Sequence, residues 1–412
     1  MNKILKFSEQ KIASVSLDFK RYLYDEIIDF QKSEVILGIV GLRWIGKTTL
    51  LLQIAKEKEA EWKKWLYFSC DSFFVYWKFI FDIIEYFYDE HNIRHFYIDE
   101  VHKQKDWEQS LKTAYDVYDD IKIIFSWSSS VDLIRWTFDL SRRAILRTLN
   151  KFSFREYLNF TYWYNFKEIE IKNIFDNPIS VSSEIYNIEN NILKYYKEYN
   201  EFWEFWFFWW KNNNKRAFLI KIENVINKLI YEDISNYYNI QTSNISLFFK
   251  ILKFIANSWS SNLNYSNIAK QINTTSDTIK YYIEILQEIW ILNIIWKEWR
   301  ISVNLRKSKK WLFETNNIAQ LLFDEINTRF SIWLLRESSA VSELKKVWEI
   351  YYSEKWDYWF IYKNKRYILE VWGKTKTYKQ LKWVENWFLI KDEISIWDNK
   401  NEIPLWMLGF LY

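Results

Sequence analysis

EVILGIVGLRWIGKTTL, residues 34–50, decides the fold. Val35 to Val40 is a short apolar run of the kind that makes a buried parallel strand. It enters Gly41-Leu42-Arg43-Trp44-Ile45-Gly46-Lys47-Thr48, which matches G-x-x-x-x-G-K-[ST], and then the helix-forming LLQIAKEKEAE. Strand, loop and helix in this order are the context of a phosphate-binding loop. Successive backbone N–H groups and the helix N-terminus hold nucleotide phosphates there. The expected ATP-binding residues are Gly41, Leu42, Arg43, Trp44, Ile45, Gly46, Lys47, Thr48 and Thr49. Lys47 brings a cation to the phosphates, and Thr48 offers its hydroxyl to Mg²⁺. The fourth loop position, where the backbone turns tightly around phosphate, is Trp44; a ring there is tolerated only if it points to solvent.

Further along, His95-Phe-Tyr-Ile-Asp99-Glu100 is an apolar strand ending in two acids. Behind a phosphate-binding loop, the first acid is expected to hold Mg²⁺ through water and the second to polarise the attacking water. A third strand, Ile121-Lys-Ile-Ile-Phe125, ends in Ser126-Trp127-Ser128-Ser129. A hydroxyl here, Ser126, can sense a γ-phosphate. Then come Asp139-Leu-Ser-Arg142-Arg143-Ala-Ile-Leu-Arg147 and Phe152-Ser-Phe-Arg155-Glu156-Tyr157.

The composition is unusual in one respect. The chain has 26 Trp and 5 Gly in 412 residues, whereas Gly at its usual ~7% would number roughly 29. Gly and Trp together come close to that figure. Trp44, Trp127, Trp356 and Trp372 fall in segments whose chemistry asks for no side chain. We read most of these Trp as Gly in the native protein, with UGA codons rendered as Trp; some uncultured bacterial lineages read UGA as Gly. An AT-rich genome is the alternative: it lowers Gly and Pro but gives no reason for Trp to rise.

Charged residues are 27% and hydrophobic residues 49% of the chain, as in a water-soluble globular protein with a sizeable core. A net charge of +4 permits a local nucleic-acid patch without demanding one. The single cysteine, Cys70, allows no internal disulfide and suits a reducing cytosol. The opening MNKILKFSEQ lacks the apolar core of a signal peptide, and no apolar run is long enough to span a bilayer. A cytoplasmic location without membrane partners is expected. Phe202 to Trp210 is the most apolar stretch; with its four Trp as Gly it becomes a hinge loop.

The chain resembles the bacterial and archaeal AAA-type ATPases that carry a C-terminal DUF4143 region. GLRWIGKTTLL, FYIDE, FSWSSS, DLSRRAI and FSFREYL stand in that family's order. The resemblance implies ATP and Mg²⁺ as cofactors, and catalytic roles for Glu100 and Ser126 beside the metal ligands Thr48 and Asp99. It also implies an arginine that reaches a neighbouring subunit's γ-phosphate, for which Arg143 is the candidate; Arg142 and Arg143 as surface or salt-bridge residues are the alternative. A homo-oligomer is the corresponding expectation.

The expected fold class is α/β: a P-loop NTPase core with a parallel sheet, a helical lid, a winged helix and a C-terminal α/β nuclease-like domain. The segments are 1–33 (N-terminal helical), 34–165 (ATPase core), 166–255 (lid), 256–325 (winged helix) and 326–412 (PD-(D/E)XK-like). In 264–295, Ile268 to Ile272 suits a first helix and Asn273-Thr-Thr-Ser a turn. Thr275 or Ser276 caps a second helix that runs to Ile289, and Trp290 stands at its C-cap. Lys280, Tyr281 and Tyr282 are placed to meet DNA phosphate and sugar, though such folds also serve as protein-packing modules.

The last segment reads α-β-β-β: a helix at Trp333–Glu337, strands at 350–353, 357–362 and 367–371, and a turn at Lys363-Asn364-Lys365. Its carboxylates Glu337, Asp357 and Glu370 resemble the PD-(D/E)XK nuclease set. Trp372 occupies the place of the activating lysine, so Lys374 or Lys376 would have to substitute. Three functions follow: a nucleotide-driven switch on DNA or a protein partner, an ATP-gated DNA nuclease, or an assembly ATPase with a degenerate nuclease fold.

Overall fold

The structure is a computed structural model. It describes residues 1–33, 36–60, 64–128, 140, 142–205, 215–238, 240–257, 264–297, 309–325, 332–353, 355–374, 381, 383–396 and 399–412. The expected features at Ser129, Asp139, Ser141, Lys376 and most of the 202–210 hinge lie outside the described residues. The chain divides into two compact units, residues 1–151 and 152–412. The expected core boundary at 165 falls inside the second.

The first unit is a five-stranded parallel sheet in the order β2-β3-β4-β1-β5. The strands are β1 (Ile36–Val40), β2 (Trp65–Ser69), β3 (His95–Asp99), β4 (Lys122–Trp127) and β5 (Ala144–Thr148). Every residue of β1 is buried, as the apolar run demands of a strand covered on both faces. The helices of this unit are α1 (Asn2–Ser14), α2 (Tyr24–Ser33), α3 (Lys47–Ala60), α4 (Ile80–His91) and α5 (Trp107–Val117). α1 packs against β2 and α3, and α2 against β1 and α3.

Two strands go beyond the expected set. β2 precedes the Asp-Glu strand, so the run 121–125 belongs to the fourth strand rather than the third. β5 is formed by Ala144–Thr148, directly after Arg143, and pairs with β1 from Ile36↔Ala144 to Val40↔Thr148.

The second unit starts with α6 (Phe154–Tyr162), whose start is a capping box. Ser153 Oγ accepts from the Glu156 N–H at 3.2 Å, and Glu156 Oε2 accepts from the Ser153 N–H at 3.1 Å. Helices α7 (Ile171–Asp176), α8 (Pro178–Ile188), α9 (Ile192–Phe202) and α10 (Lys215–Lys228) follow. A π-helical turn at Leu229–Ile234 and helices α11 (Ser235–Tyr238) and α12 (Thr242–Asn257) complete this helical stretch.

α13 (Tyr265–Ile272) ends at Asn273 with φ 56°, and α14 (Ser276–Glu288) is capped by Thr275 Oγ, which accepts from the Thr278 N–H at 3.1 Å. Trp290 lies just past α14 with φ 55°, the left-handed geometry expected where that helix stops. β6 (Leu292–Trp296) and β7 (Lys309–Phe313) form an antiparallel pair.

After α15 (Asn316–Glu325) and α16 (Ile332–Leu344) comes a mixed sheet in the order β12-β11-β10-β9-β8. Its strands are β8 (Ile350–Tyr352), β9 (Tyr358–Tyr362), β10 (Lys365–Trp372), β11 (Trp387–Lys391) and β12 (Glu402–Pro404). Lys363 and Asn364 both have positive φ, so a tight two-residue turn joins β9 to β10 as the turn residues anticipate. α16 packs on β10.

Candidate active site

The site lies at the carboxyl ends of β1, β3 and β4, the edge where open parallel sheets bind ligands. Three residues of the loop after β1 have left-handed backbone: Gly41 at φ 150°, Trp44 at 68° and Gly46 at 100°. A Cβ on Gly41 would run into the Leu149 carbonyl oxygen and the Ile45 side chain, so no side chain fits there. Trp44 meets the backbone demand with its ring turned outward, 49% exposed, at a cost of about 1–2 kcal/mol.

Lys47 opens α3 and is buried. Its ammonium donates to the carbonyl oxygens of Gly41 at 2.9 Å and Leu42 at 2.8 Å, so the cation lies folded across the loop it serves. Arg43 is buried, and Thr49 is half-buried in the first turn of α3.

Sequence reasoning missed Arg21, which locks this loop. Its buried guanidinium donates to the Ile45 carbonyl, to that of Asn150 at 2.9 Å and to that of Lys151 at 3.2 Å. The partners are 24 and 129 or more residues away, so no local spacing announces them.

Asp99 is buried and surrounded by hydroxyls. Thr48 Oγ donates to Oδ2 at 2.9 Å, Tyr67 OH donates to Oδ2 at 3.2 Å, and Ser126 Oγ donates to Oδ1. Burial, reinforced by the neighbouring Glu100 charge, pushes its carboxyl up to about 6, against the lowering pull of Ser126, Thr48 and Lys47. Burial first, and then the Asp99 charge, drives the Tyr67 phenol upward.

Glu100 leaves β3 through a left-handed turn at φ 53°. Its N–H donates to Ser126 Oγ at 3.1 Å, and its Oε2 accepts from Ser128 Oγ at 3.0 Å. His102, a second residue the sequence reading passed over, places Nδ1 at 3.3 Å from Glu100 Oε2. Ser126 therefore holds both acids, one by its side chain and the other by its backbone. A hydroxyl and a carboxylate 2.9 Å apart are hard oxygen donors of the type Mg²⁺ accepts beside phosphate and water, so Thr48 and Asp99 fit that ion.

Arg143 is engaged with Asp116, Nε to Oδ1 at 2.9 Å and NH2 to Oδ2 at 3.3 Å. In this arrangement it serves as a salt-bridge residue, and Arg142 is exposed.

The C-terminal candidates do not assemble into a metal set. Glu337 on α16 pairs with Lys310 of β7 at 2.5 Å and accepts from Tyr358 OH at 3.1 Å. Burial holds the Glu337 carboxyl above its ordinary range, Lys310 opposing and Asp357 adding to the rise. Asp357 spends Oδ2 on the Val371 N–H at 2.9 Å, Glu370 is buried in β10, and Lys374 is exposed beyond it. Among the described residues, no group of three or more His, Cys, Asp or Glu could hold a metal ion. Tyr282, expected to face DNA, is buried and stacked on Phe248 with ring centroids 4.3 Å apart; Tyr281 is exposed and Lys280 half-exposed.

An AAA domain family model matches residues 33–158, and a model for a domain of unknown function, DUF8612, matches 209–322. The latter is a different domain from the DUF4143 region named by the resemblance, and it spans the expected boundary between lid and winged helix. The uncharacterized protein MJ1637 of Methanocaldococcus jannaschii is 27% identical over 310 residues, 72% of this chain. The match spans 64% of that relative's length.

Among solved structures, the Walker-type ATPase PABY2304 of Pyrococcus abyssi aligns over 74% of this chain and 99% of its own, at 12% identity and TM-score 0.44. AMPPCP-bound DnaA from Aquifex aeolicus aligns over 66% and 89%, at 15% identity and TM-score 0.26. Among the described residues, no helix is long and apolar enough to cross a membrane. The family match, the strand order and the loop geometry agree on an AAA-type P-loop domain over residues 33–158.

Proposed function

We propose that this protein is a Mg²⁺-dependent ATPase that works as a nucleotide-driven switch on DNA or a protein partner. The observation that carries the proposal is the Thr48–Asp99–Ser126–Glu100 cluster at the mouth of the phosphate loop. Lys47 exchanges its two loop carbonyls for phosphate oxygens. Thr48, directly, and Asp99, through water, would hold Mg²⁺, which would supply charge neutralisation at the phosphates. Glu100 orients and deprotonates the attacking water, and Ser126 reports γ-phosphate loss to both acids.

To reach a neighbouring copy, Arg143 would have to give up its Asp116 pair, an exposed pair of small energetic value. We assign α13, α14 and the β6–β7 pair to a winged-helix module within the DUF8612 match. The mixed sheet after it is read as a nuclease-like fold without a working metal set, which favours the switch over an ATP-gated nuclease. Cytoplasmic residence and homo-oligomer formation belong to the same proposal.

The recoding of Trp as Gly is proposed with it. Trp44, Trp163 and Trp290 all have positive φ, a backbone region that favours Gly and penalises Trp. Mass spectrometry of the native protein tests this directly: Gly in the peptides bearing positions 44, 163 and 290 is expected, and Trp would overturn it. The ATPase reading is tested by phosphate release from Mg²⁺-ATP, beside Lys47→Ala. Turnover that Lys47→Ala abolishes is expected; turnover that survives it would sink the site assignment.

A further inference from the structure

Between β2 and α4 the first unit presents aromatic rings to solvent. Phe73 and Trp77 are 82% and 84% exposed, and Phe74, Tyr76 and Phe79 are exposed as well. The loop is nevertheless tied down. Val75 is buried, and the N–H groups of Ser72, Val75 and Lys78 donate in turn to the carbonyls of Ser69, Ser72 and Val75. Rings held open to water on an ordered loop lose little entropy when a partner covers them.

The rings form a ladder from the core outward. Phe7 of α1 stacks on Tyr67 at 6.3 Å, Phe74 meets Phe7 edge-on at 6.3 Å, and Phe73 meets Phe74 edge-on at 6.5 Å. Cations flank it. Lys11 Nζ lies 5.5 Å above the Phe7 ring, Lys3 and Lys6 are exposed on the same helix, and Lys78 is in the loop itself. Glu9 and Asp71 are the acids on these segments, and Asp71 accepts a hydrogen bond from Ser69 Oγ.

Resting on the switch reading above, we propose that this aromatic loop and the lysine face of α1 bind single-stranded nucleic acid. The bases stack on Phe73 and Tyr76, and the phosphates meet Lys11 and Lys78. Single strands are held by this pairing of open rings with cations, because every base has a stacking face and every linkage carries a charge. A duplex keeps its base faces covered. Lys11 and Lys78 lie beside the rings, so positive charge accompanies the open aromatic faces, which suits a polyanion with stackable bases better than the apolar stripe of a peptide helix. Trp77 is not needed, so the surface survives if that position is Gly.

The loop is also wired to the nucleotide site. The Cys70 N–H donates to the Asp99 carbonyl at 2.9 Å, and Gln104 Nε2 donates to the Val75 carbonyl at 2.9 Å, just after the Glu100 turn. The strength of strand binding therefore follows the state of the nucleotide site.

Fluorescence anisotropy of a labelled 20-nucleotide oligothymidylate with the full chain tests this. Phe73→Ala/Tyr76→Ala should weaken binding by roughly tenfold or more, and Lys11→Ala should flatten its salt dependence. ATP turnover without oligonucleotide should not change, which also reports a native fold. Lys280→Ala/Tyr281→Ala on α14 should leave oligothymidylate binding intact. Binding that ignores the loop variants, or disappears only with the α14 variants, overturns the proposal. So does tight binding of a reduced, carboxymethylated protein through the same rings in place of the oligonucleotide. A chain that hydrolyses ATP but binds no oligothymidylate overturns it while leaving the ATPase reading intact. Oligothymidylate binding through the loop without any ATP turnover overturns the switch reading alone.

Discussion

Thr48 and Asp99, 51 residues apart in the chain, meet through a 2.9 Å hydrogen bond between the Thr48 hydroxyl and Asp99 Oδ2. This contact joins the first turn of α3 to the end of β3, and it places a hydroxyl and a carboxylate where one small cation can take both. Ser126 approaches the other Asp99 oxygen and holds the Glu100 backbone. The chemistry of the site is thus assembled from three strand ends in one stretch of sheet edge.

Asp99 makes the site sensitive to pH. Its folded value of about 6 lies above the ordinary 3.8, so the folded state holds the proton longer than the unfolded chain. Stability is then greatest below about pH 4 as far as this group is concerned. It falls as pH rises to about 6, by about 3 kcal/mol at most, and stays lower above that. Asp99→Asn should erase this component, and its melting temperature should exceed that of the parent increasingly from pH 4 to pH 6.5. Mg²⁺-dependent nucleotide binding should run the opposite way, strengthening as Asp99 ionises through about pH 6.

Glu100→Gln should retain ATP and lose its hydrolysis. Removal of a general base costs about 10²- to 10⁴-fold in rate, while Lys47, Thr48 and the loop N–H groups remain. A fluorescent ATP analogue measures binding and phosphate release measures turnover. Equal turnover in the two proteins would exclude Glu100 as the base.

Arg21→Ala should loosen the phosphate loop from behind. Three carbonyls lose a buried charged donor, a loss of about 2–4 kcal/mol. The expected signature is a lower melting temperature and a raised KM for ATP. Turnover at saturation should be less affected than in Glu100→Gln.

Trp44→Gly, Trp163→Gly and Trp290→Gly should each raise stability. All three residues have positive φ, and relief of that strain is worth about 1 kcal/mol apiece. Trp44 and Trp163 are exposed, so little burial is lost with the ring. Urea denaturation of the three variants measures the gain; a loss at all three would count against Gly as the native residue.

The Ser153 capping box is a purely structural counterpart. Ser153→Ala should cost about 1 kcal/mol, read from urea unfolding, with ATP turnover at saturation unchanged.

What the sequence determined by itself was local. The order of β1, loop and α3, the Asp99-Glu100 strand end, a cap at Thr275 or Ser276, the stop at Trp290 and the turn at Lys363-Asn364 each depend on residues a few positions apart. Backbone conformation and hydrogen bonding within one turn are enough to specify them. The tertiary structure decided what depends on residues distant in the chain. β5 exists because Ala144–Thr148 finds the open side of β1. Arg21 becomes a clamp only once Ile45 and Asn150 are brought together. Lys310 of β7 reaches Glu337 of α16 and pairs with an acid that the α-β-β-β pattern offers for metal. Tyr282 turns inward because Phe248 of another helix lies beneath it. A side chain's partner across the fold is set by packing and register, which no local spacing encodes.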